Sequence, residues 1–379
     1  MTSVVPKVAV IGSGISGAVC ASILAKNGVA VTVFDWGRGP GGRMSQRRET
    51  TKEGTDLFFD HGAPYFTVSN TGVLDVVLEW ESRGLVAEWK EKFGIYDCIS
   101  KAFVDYEEES SSRKYVGIPG MNSICRALCN EPGVESKFGI GVAKMDWAID
   151  QKSWSLISLD GMFLGAFGGL IATDKILAAP GFAHLTGHPP PLDINLAPQF
   201  ASRVEQVPFR PYFVLMLAFS EPLRTISVRG FSFKNSQVLS SAFCDSSKPG
   251  RSSASECWVL HSTEEYAKKV IAETGLKKAS DTTFARVSEE LLQEFQRTGL
   301  CTSQPCFMKA HRWGSAFPTA SIAREDKCLW DTNKPLVVCG DFCVSPTVEG
   351  AIQSGLAAAS KLLEMHLVST TQTTTMSMI

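Results

Sequence analysis

A glycine-rich turn near the start of the chain constrains the fold more than any other feature of the sequence. Residues 8–11 read VAVI, a short apolar β-branched run typical of a strand buried on both faces. The run leads into GSGISG at residues 12–17, after which apolar residues recur with helical spacing until a glycine at Gly28. A second apolar run over residues 29–34 ends at Asp35. This βαβ pattern predicts a Rossmann-type dinucleotide-binding unit.

Each defining position of this motif has a physical role. Gly12 permits the tight turn, Gly14 removes a side chain so that the backbone can approach a pyrophosphate, and Gly17 lets the helix pack on the strand. The start of the helix offers N–H groups and a partial positive charge to the phosphates. Asp35 is expected to accept hydrogen bonds from the ribose hydroxyls, and an acid there disfavours the 2′-phosphate of NADP.

A second signature lies near the other end of the sequence. Residues 337–341 read VVCGD, a predicted strand that ends in an acid, and residues 349–355 read EGAIQSG, the opening of a helix with small side chains. Asp341 is expected to hold a ribityl chain or a phosphate-side water. The helix start is expected to lie against a flavin ring, where its dipole would stabilise the reduced form by ~1 kcal/mol. A protein that binds NAD alone needs only the first signature, so the pair favours FAD.

A third glycine-rich segment follows Asp35, the acid predicted to bind the ribose. Residues 37–43 read GRGPGGR and predict a loop whose backbone approaches the pyrophosphate and the flavin. Arg38 or Arg43 is expected to neutralise phosphate charge. The alternative interpretation is a solvated basic turn.

The order of the predicted elements indicates a discontinuous nucleotide-binding domain. Nucleotide-type strands are predicted at the start, near residue 176 and near residue 337, and a β-rich block lies between them. The prediction is an α/β fold with a Rossmann-type FAD-binding domain and an inserted antiparallel β-rich substrate domain. An exposed acidic loop is predicted over 105–112 and a helix over 348 to about 364. The predicted FAD-binding domain comprises 1–80, 113–182 and 330–366, the substrate domain 81–112 and 183–329, and a disordered tail 367–379.

Composition limits the partners and the compartment. A net charge of −2 gives no broad field for nucleic acid or for an anionic membrane, and neither is predicted as a partner. No apolar run approaches the ~20 residues that span a bilayer, and a first strand near Val8 leaves no room ahead of it for a signal or transit peptide. The eleven cysteines include no C-x-x-C pair and no histidine at zinc-ligand spacing, which favours reduced thiols and no metal site. We expect a soluble intracellular protein, first of all cytoplasmic, with an organelle left open.

Several blocks together resemble a known family. Besides the motifs above, the chain carries GGRM at 41–44, DHGAPYFT at 60–67, VGIPGM at 116–121 and HRW at 311–313. With these blocks it resembles the renalase-like branch of the FAD-dependent (flavin-containing) amine oxidase superfamily, over nearly the whole chain. The resemblance implies a p-hydroxybenzoate-hydroxylase-like fold and non-covalent FAD. It also implies an oxidase that passes a hydride from a small reduced substrate, a dihydro-NAD(P) isomer, to flavin N5 and on to O₂, giving H₂O₂.

The motifs and the resemblance together select the candidate cofactor site. The predicted cofactor-binding residues are Gly12, Ser13, Gly14, Ile15, Ser16, Gly17, Asp35, Trp36, Arg38, Gly41, Gly42, Arg43, Met44, His61, Gly62, Ala63, Pro64, Val142, Pro180, Gly340, Asp341, Glu349, Gly350, Ala351 and Ser354.

No side chain is assigned with certainty to catalysis, because the flavin itself is expected to carry the chemistry. A dihydropyridine becomes aromatic when it loses hydride and needs no general base, whereas an amine must first be neutral and is commonly caged between aromatic faces. Candidates for the substrate pocket are His61, Tyr65, Tyr212 and Trp313, each with a structural or core role as the alternative. His311 is interpreted as an ordinary strand histidine.

Other functions stay open at this point. The tryptophan motif continues as Gly314-Ser315, where the family usually has Arg followed by Tyr or His, so the substrate is open. One alternative is an amine or polyamine oxidase, and one from another class is a non-catalytic flavin-binding protein. A pyridine-nucleotide-dependent reductase is disfavoured because no second glycine-rich βαβ unit occurs. The predicted partners are a small-molecule substrate and O₂, and the oligomeric state is open.

Overall fold

The structure, a computed structural model, describes residues 7–106, 112–251, 254–275 and 279–376. The helices are α1 Ile15–Lys26, α2 Thr71–Ser82, α3 Asn122–Cys129, α4 Gly181–Thr186, α5 Ala201–Glu205, α6 Glu264–Thr274, α7 Asp281–Arg297, α8 Asp341–Val344 and α9 Val348–Met376. The strands are β1 Lys7–Ile11, β2 Ala30–Asp35, β3 Gln46–Thr50, β4 Asp56–Asp60, β5 Val86–Glu88, β6 Phe93–Asp97, β7 Ala102–Tyr106, β8 Tyr115–Gly117, β9 Val134–Phe138, β10 Val142–Ala148, β11 Ser153–Ser158, β12 Phe163–Phe167, β13 Gly169–Ala172, β14 Phe209–Phe219, β15 Gly230–Lys234, β16 Leu239–Cys244, β17 Glu256–Ser262, β18 Phe307–Pro318, β19 Leu329–Trp330 and β20 Leu336–Val338. Among the described helices, none is both long and apolar enough to cross a membrane.

The chain divides into two compact units, and the first combines Met1–Gly42, Ile124–Pro208 and Pro318–Ile379. Its main sheet has the strand order β19-β20-β13-β1-β2-β9. Strand β1 pairs in parallel with β2 on one side and with β13 on the other, and β13 pairs in parallel with β20. Parallel strands joined by helical crossovers are the Rossmann arrangement, so this part of the predicted fold class is confirmed.

The central strands of this sheet are covered on both faces. Val8 and Val10 are fully buried and pack with Leu24 of α1 and Leu362 of α9. On the β12 side, the ring of Phe34 meets that of Phe167 edge-on at 5.8 Å. Strand β12 belongs to a three-stranded antiparallel sheet, β10-β11-β12. Because both faces are buried, the β1 sequence is continuously apolar.

The prediction of a strand near residue 176 is wrong. Residues Lys175–Ala178 form a short 3₁₀ turn, and the Asp174 side chain caps this turn by accepting a hydrogen bond from the Ile176 amide. The nucleotide-type strand is β13, a few residues earlier, and Ile171 within it is aligned with Val10. Both segments are short and apolar, so hydrophobicity alone could not separate them, whereas the aspartate cap favours a helical turn.

The second unit combines Arg43–Ser123 and Phe209–Phe317 around a seven-stranded sheet of order β18-β14-β17-β16-β15-β6-β7. Strand β17 pairs antiparallel with β14 and β16, whereas β15 pairs in parallel with β6. One face packs against α7 through Val287, Leu291 and Phe295. The other face packs against Leu57 and Phe59 of the β3–β4 hairpin. A substantial β-rich unit was predicted, and this part of the fold class is confirmed.

The compact units do not coincide with the predicted functional domains. Residues 43–80 were placed in the predicted FAD-binding domain, whereas the β3–β4 hairpin within that range packs on the seven-stranded sheet. Compact units and functional domains are different divisions, and the domain assignment stays a prediction.

The C-terminal helix and the predicted acidic loop differ in extent from the sequence predictions. Helix α9 continues to Met376, beyond the end predicted near residue 364 and into the tail predicted to be disordered, because no Gly or Pro follows Gly355 within it to end the helix. Residues 377–379 lie outside the described residues, as do 107–111 of the predicted acidic loop. Asp105 in that loop belongs to β7.

Candidate functional site

Two glycines of the first signature are required by backbone geometry. Gly12 has a φ of +106°, and a Cβ atom there would lie 2.2 Å from the Thr173 hydroxyl oxygen. A Cβ atom on Gly17 would lie 2.0 Å from the carbonyl oxygen of Gly12. Neither position can hold a side chain, so the turn into α1 and the packing of α1 on its strand both depend on glycine.

Gly14 differs from its two neighbours in the motif, because the space beside it is open. A Cβ atom there would meet nothing within 4 Å among the described residues, and Gly14 is the N-cap of α1. The second glycine loop runs alongside, since the Gly41 amide donates to the Ser13 carbonyl at 3.0 Å. A Cβ atom on Gly42 would lie 3.6 Å from the Gly14 Cα atom. Two backbone segments without side chains therefore border the start of α1.

The carboxylate of Asp35 connects these two loops. One oxygen accepts hydrogen bonds from the amide and the hydroxyl of Ser13, at 2.6 and 2.5 Å. The other accepts from the Gly37 amide at 2.6 Å. Two carboxylate oxygens offer about four lone-pair sites, so the fixed carboxylate keeps acceptor capacity for ribose hydroxyls. Trp36 follows with half of its surface exposed, and a Cβ atom on Gly141 would lie 3.3 Å from its ring.

The second signature forms a similar set of glycine-dependent turns. Gly340 has a φ of +152°, and its amide donates to the Ser354 hydroxyl at 2.9 Å. The buried Asp341 begins α8 directly after it. A Cβ atom on Gly350 would lie 2.3 Å from the Ser345 hydroxyl oxygen, so this turn also excludes a side chain. The half-buried Glu349 precedes it in the first turn of α9.

The two signatures meet inside the first unit. The Ser16 hydroxyl donates to the Ala351 carbonyl at 2.8 Å, although the two residues are 335 positions apart. A Cβ atom on Gly355 would lie 2.4 Å from the Ser16 carbonyl oxygen, so α9 crosses α1 at backbone contact. The starts of both helices therefore lie side by side, which is the arrangement expected for one extended ligand held by both.

The other predicted cofactor residues of the first unit differ in their exposure to solvent. Arg38 is exposed, Pro180 is exposed at the start of α4, and Val142 is buried at the start of β10. The buried Ile15 opens α1, and Ser354 is fully buried against the Gly340 turn.

The remaining predicted cofactor residues belong to the second unit, where they cluster around Arg43. A Cβ atom on Gly62 would lie 1.9 Å from the Arg43 carbonyl oxygen, and the Ala63 amide donates to the same oxygen at 2.9 Å. The Arg43 guanidinium donates to the Ala316 carbonyl at 2.7 Å. These contacts hold residues 61–63 against Arg43. Met44, the residue after Arg43, is buried, and Pro64 is half-buried.

An aromatic cluster accompanies this segment. The rings of His61, His311 and Trp313 lie with centroids 4.9–5.1 Å apart, and the Trp313 indole donates to the His61 carbonyl at 2.9 Å. His311, interpreted from sequence as an ordinary strand histidine, is thus the third ring of this cluster. The predicted pocket residue Tyr212 stacks on Phe317 at 5.3 Å.

The second unit has a further aromatic group, around Tyr65. Its ring meets Phe93 at 5.5 Å and Phe243 at 5.8 Å, while Tyr212 meets His261 at 4.8 Å. Phe243 and His261 are themselves 5.7 Å apart, so these rings are continuous from Tyr65 to Tyr212. His261 was not among the residues predicted from the sequence.

Burial keeps the histidines of these clusters neutral. Loss of hydration lowers the pKa of His61 to about 4, with a further contribution from the Arg47 charge. Burial likewise lowers the pKa values of His261 and His311 to about 3, and the neighbouring His61 contributes to both. Burial raises the pKa of the Tyr212 phenol. Near neutral pH these side chains therefore present uncharged rings.

Sequence reasoning also missed a buried ion cluster, formed by Asp60, Asp245, Lys248 and Arg251. The Lys248 ammonium lies 3.0 Å from Asp60 and also contacts Asp245, and the Arg251 guanidinium contacts Asp60. These side chains are at most 4% exposed. Burial opposes ionisation of Asp60, but the charges of Lys248 and Arg251 hold its pKa below the ordinary value. No periodic pattern in the sequence marks such a cluster, because Asp60 lies 185 residues before Asp245.

Comparison with known proteins assigns the fold. The family described as flavin containing amine oxidoreductase matches residues 96–363, and the family described as NAD(P)-binding Rossmann-like domain matches residues 10–79. A protein from Exiguobacterium sp. 255-15, provisionally described as a protoporphyrinogen oxidase, is 11% identical at a TM-score of 0.68, covering 97% of this chain and 99% of that one. An oxidoreductase from Methanosarcina mazei is 14% identical with a TM-score of 0.64, and the match covers 93% of this chain and 100% of that one. A redesigned putrescine oxidase is 11% identical with a TM-score of 0.65, and the match covers 95% of this chain and 99% of that one.

The Rossmann unit and its paired glycine signatures define a dinucleotide-binding flavoprotein. The family match covers more than half of the chain, so the protein belongs to the flavin-containing amine oxidoreductases, and FAD is its cofactor. The residues present fit this group, because the open Gly14 position and the fixed Asp35 carboxylate supply a phosphate-binding helix start and a ribose acceptor. Among the described residues, no group of three or more His, Cys, Asp or Glu side chains could hold a metal ion.

Proposed function

We propose that this protein is an FAD-dependent oxidase of renalase-like activity, with the cofactor held non-covalently. The proposed reaction converts a dihydro-NAD(P) isomer, O₂ and one proton into NAD(P)⁺ and H₂O₂. The contact of Ser16 with Ala351, which joins the two glycine signatures in a chain of this family, carries the cofactor part of the proposal. The sequence blocks that resemble the renalase-like branch support the activity. When bound, FAD supplies the two-electron acceptor for the hydride.

The side chains have binding and positioning roles in this proposal. The start of α1 beside Gly14 binds the pyrophosphate, and Asp35 accepts hydrogen bonds from the adenosine ribose. Asp341 and the start of α9 hold the flavin-bearing half. His61, Tyr65, Tyr212 and Trp313 line the substrate side, where neutral rings orient a flat substrate. A general base is not needed, because the dihydropyridine ring becomes aromatic as the hydride leaves.

An amine or polyamine oxidase is the second candidate. The family description and the fold shared with a putrescine oxidase favour it, and aromatic rings such as Tyr65 and Tyr212 are suited to cage an amine. The third candidate, a flavin-binding protein without turnover, rests on the Gly314-Ser315 departure. A cytoplasmic location stays a prediction.

Anaerobic mixing distinguishes these functions. The purified flavoprotein is mixed with dihydronicotinamide isomers that carry the hydride at different ring carbons, and with a panel of amines, while the flavin absorbance is recorded. We expect bleaching by dihydronicotinamide isomers, and formation of H₂O₂ with return of the absorbance when air is admitted. Bleaching by amines alone would contradict the proposal, and no bleaching by any compound would favour the non-catalytic function.

The cofactor assignment has its own pair of variants. Gly14→Glu places a carboxylate where the pyrophosphate is expected, and should give colourless protein that does not take up added FAD. Gly72→Glu is the control, because Gly72 is exposed near the start of α2 and a Cβ atom there meets only ordinary contacts. Stoichiometric FAD in the Gly14→Glu protein would contradict the assignment of this turn.

A further inference from the structure

His261 is a polar side chain on an otherwise apolar face of the seven-stranded sheet. Alternate residues of a strand share a face, so His261 lies on the same side of β17 as Cys257 and Val259. Both of these pack into the apolar cluster that includes Val214 and Met216 of β14. At His261 the apolar face gives way to an imidazole surrounded by aromatic rings.

The imidazole of His261 has an unused hydrogen-bonding atom. The residue is 7% exposed, and its Nε2 atom is buried without a hydrogen-bond partner among the described residues. Buried polar atoms are nearly always paired with protein, water or ligand, so an unpaired one in a folded enzyme requires an explanation. A neutral imidazole nitrogen can donate or accept, depending on the tautomer.

The surroundings of His261 select the kind of group that could pair with it. Its ring lies between Tyr212 and Phe243, and Phe243 in turn contacts Tyr65. We call these four residues, Tyr65, Tyr212, Phe243 and His261, the aromatic wall. The four side chains of the wall include no carboxylate, and the Lys114 ammonium lies 5.9 Å from the centre of the Tyr65 ring. A flat, uncharged ring is therefore favoured here over an alkylammonium group.

We propose that His261 is a substrate-recognition residue, whose Nε2 atom forms a hydrogen bond with a carboxamide on a flat, neutral ring held against the aromatic wall. The inference rests on the proposed function, since the dihydronicotinamide ring carries such a group. A carboxamide contains both a donor and an acceptor, so it can pair with either tautomer of the imidazole. His261 thereby positions the substrate and takes no part in the transfer of hydride.

Neutral ligands that differ only in the carboxamide test this role independently of turnover. Nicotinamide and pyridine are titrated into the oxidised flavoprotein at pH 8, and the dissociation constants are read from the flavin spectrum. We expect the protein to bind nicotinamide at least tenfold more tightly than pyridine. His261→Phe should abolish this preference, His261→Asn should retain part of it, and His184→Phe, a change at an exposed helix position, should leave it unaltered.

The reductive half-reaction supplies a second readout. His261→Phe should raise the dihydronicotinamide concentration for half-maximal bleaching at least tenfold, with little change in the limiting rate. Equal binding of nicotinamide and pyridine by the unmodified protein would overturn the inference, as would an undiminished preference in His261→Phe. Should His261→Phe fail to retain FAD, the same comparison is made with His261→Leu and His261→Asn. If no dihydronicotinamide bleaches the flavin, the proposed function fails, whereas the ligand preference still decides the role of His261.

Discussion

Burial of a titratable ring gives the protein a pH-dependent stability at the level of a single residue. The pKa of His261 falls from 6.5 to about 3 on folding. Between these values the unfolded chain binds a proton that the folded chain does not, so the stabilisation is complete above pH 6.5 and is lost as the pH falls towards 3.

We expect His261→Phe to reduce this acid sensitivity. Between pH 7.5 and pH 5 the unmodified protein should lose about 2 kcal/mol more of its free energy of unfolding than the variant does. Urea unfolding at the two pH values measures the difference. Parallel losses in both proteins would show that His261 titrates normally in the folded state.

The buried ion cluster provides a second prediction at this scale. Lys248→Met would leave Asp60 and Asp245 buried with less compensation, and should cost about 3–5 kcal/mol of stability. Lys309→Met removes a comparable ion pair with Glu49, but the Lys309 side chain is 42% exposed, so the cost should be below about 1 kcal/mol.

Chemical unfolding of both lysine variants, with FAD content as a check, distinguishes the two sites. Equal losses of stability would mean that the cluster around Lys248 is hydrated in solution.

The residues that sequence analysis identified depend on neighbours in the sequence, whereas those it missed depend on contacts with distant segments. Gly12 and Gly17 are specified by their own turn, so a local motif was sufficient to predict them. His261 acquires its role from Tyr212 and Phe243, which lie on other strands, and an isolated histidine in an apolar strand gives no sign of this. The Asp60 cluster was missed for the same reason.

Among the elements, the crossing of α1 and α9 is sensitive to the size of a single side chain. Gly355→Ala gains about 1 kcal/mol of helix propensity but forces a Cβ atom to within 2.4 Å of the Ser16 carbonyl oxygen. We expect a net destabilisation of about 1–3 kcal/mol, together with weaker FAD binding.

Gly72→Ala is the matched change in a helix without such a crossing, because its Cβ atom would meet only an ordinary 3.4 Å contact. It should leave stability unchanged or raise it by up to ~1 kcal/mol. Thermal unfolding of both variants tests the contrast. A Gly355→Ala protein as stable as Gly72→Ala would mean that α9 shifts without cost.

Elements were predicted best where periodicity or caps were strong. The first βαβ unit follows clear apolar runs, and its elements begin and end within about two residues of the predicted positions. The failure at Lys175–Ala178 has a local cause, since a four-residue apolar turn and a short strand have the same composition. Besides the local aspartate cap at Asp174, pairing with β1, a long-range property, distinguishes β13 as the strand.

For the whole molecule, FAD should act as a stabilising ligand. Free FAD at a hundred times its dissociation constant should add about 2.7 kcal/mol to the free energy of unfolding, if the unfolded chain does not bind it. Thermal unfolding with and without added FAD measures this effect. The transition should rise for the unmodified apoprotein and for Gly72→Glu, and stay constant for Gly14→Glu. A rise in all three proteins would place the FAD site elsewhere.

The strand order β20-β13-β1-β2 draws on early, middle and late parts of the polypeptide. During translation, the first βαβ unit leaves the ribosome long before β20 and α9 are made. Ser16 acquires its Ala351 partner only when the last of these segments has emerged. A nascent chain stalled before that point lacks one of the two helix starts expected to hold the cofactor, so we expect flavin uptake to follow the emergence of α9.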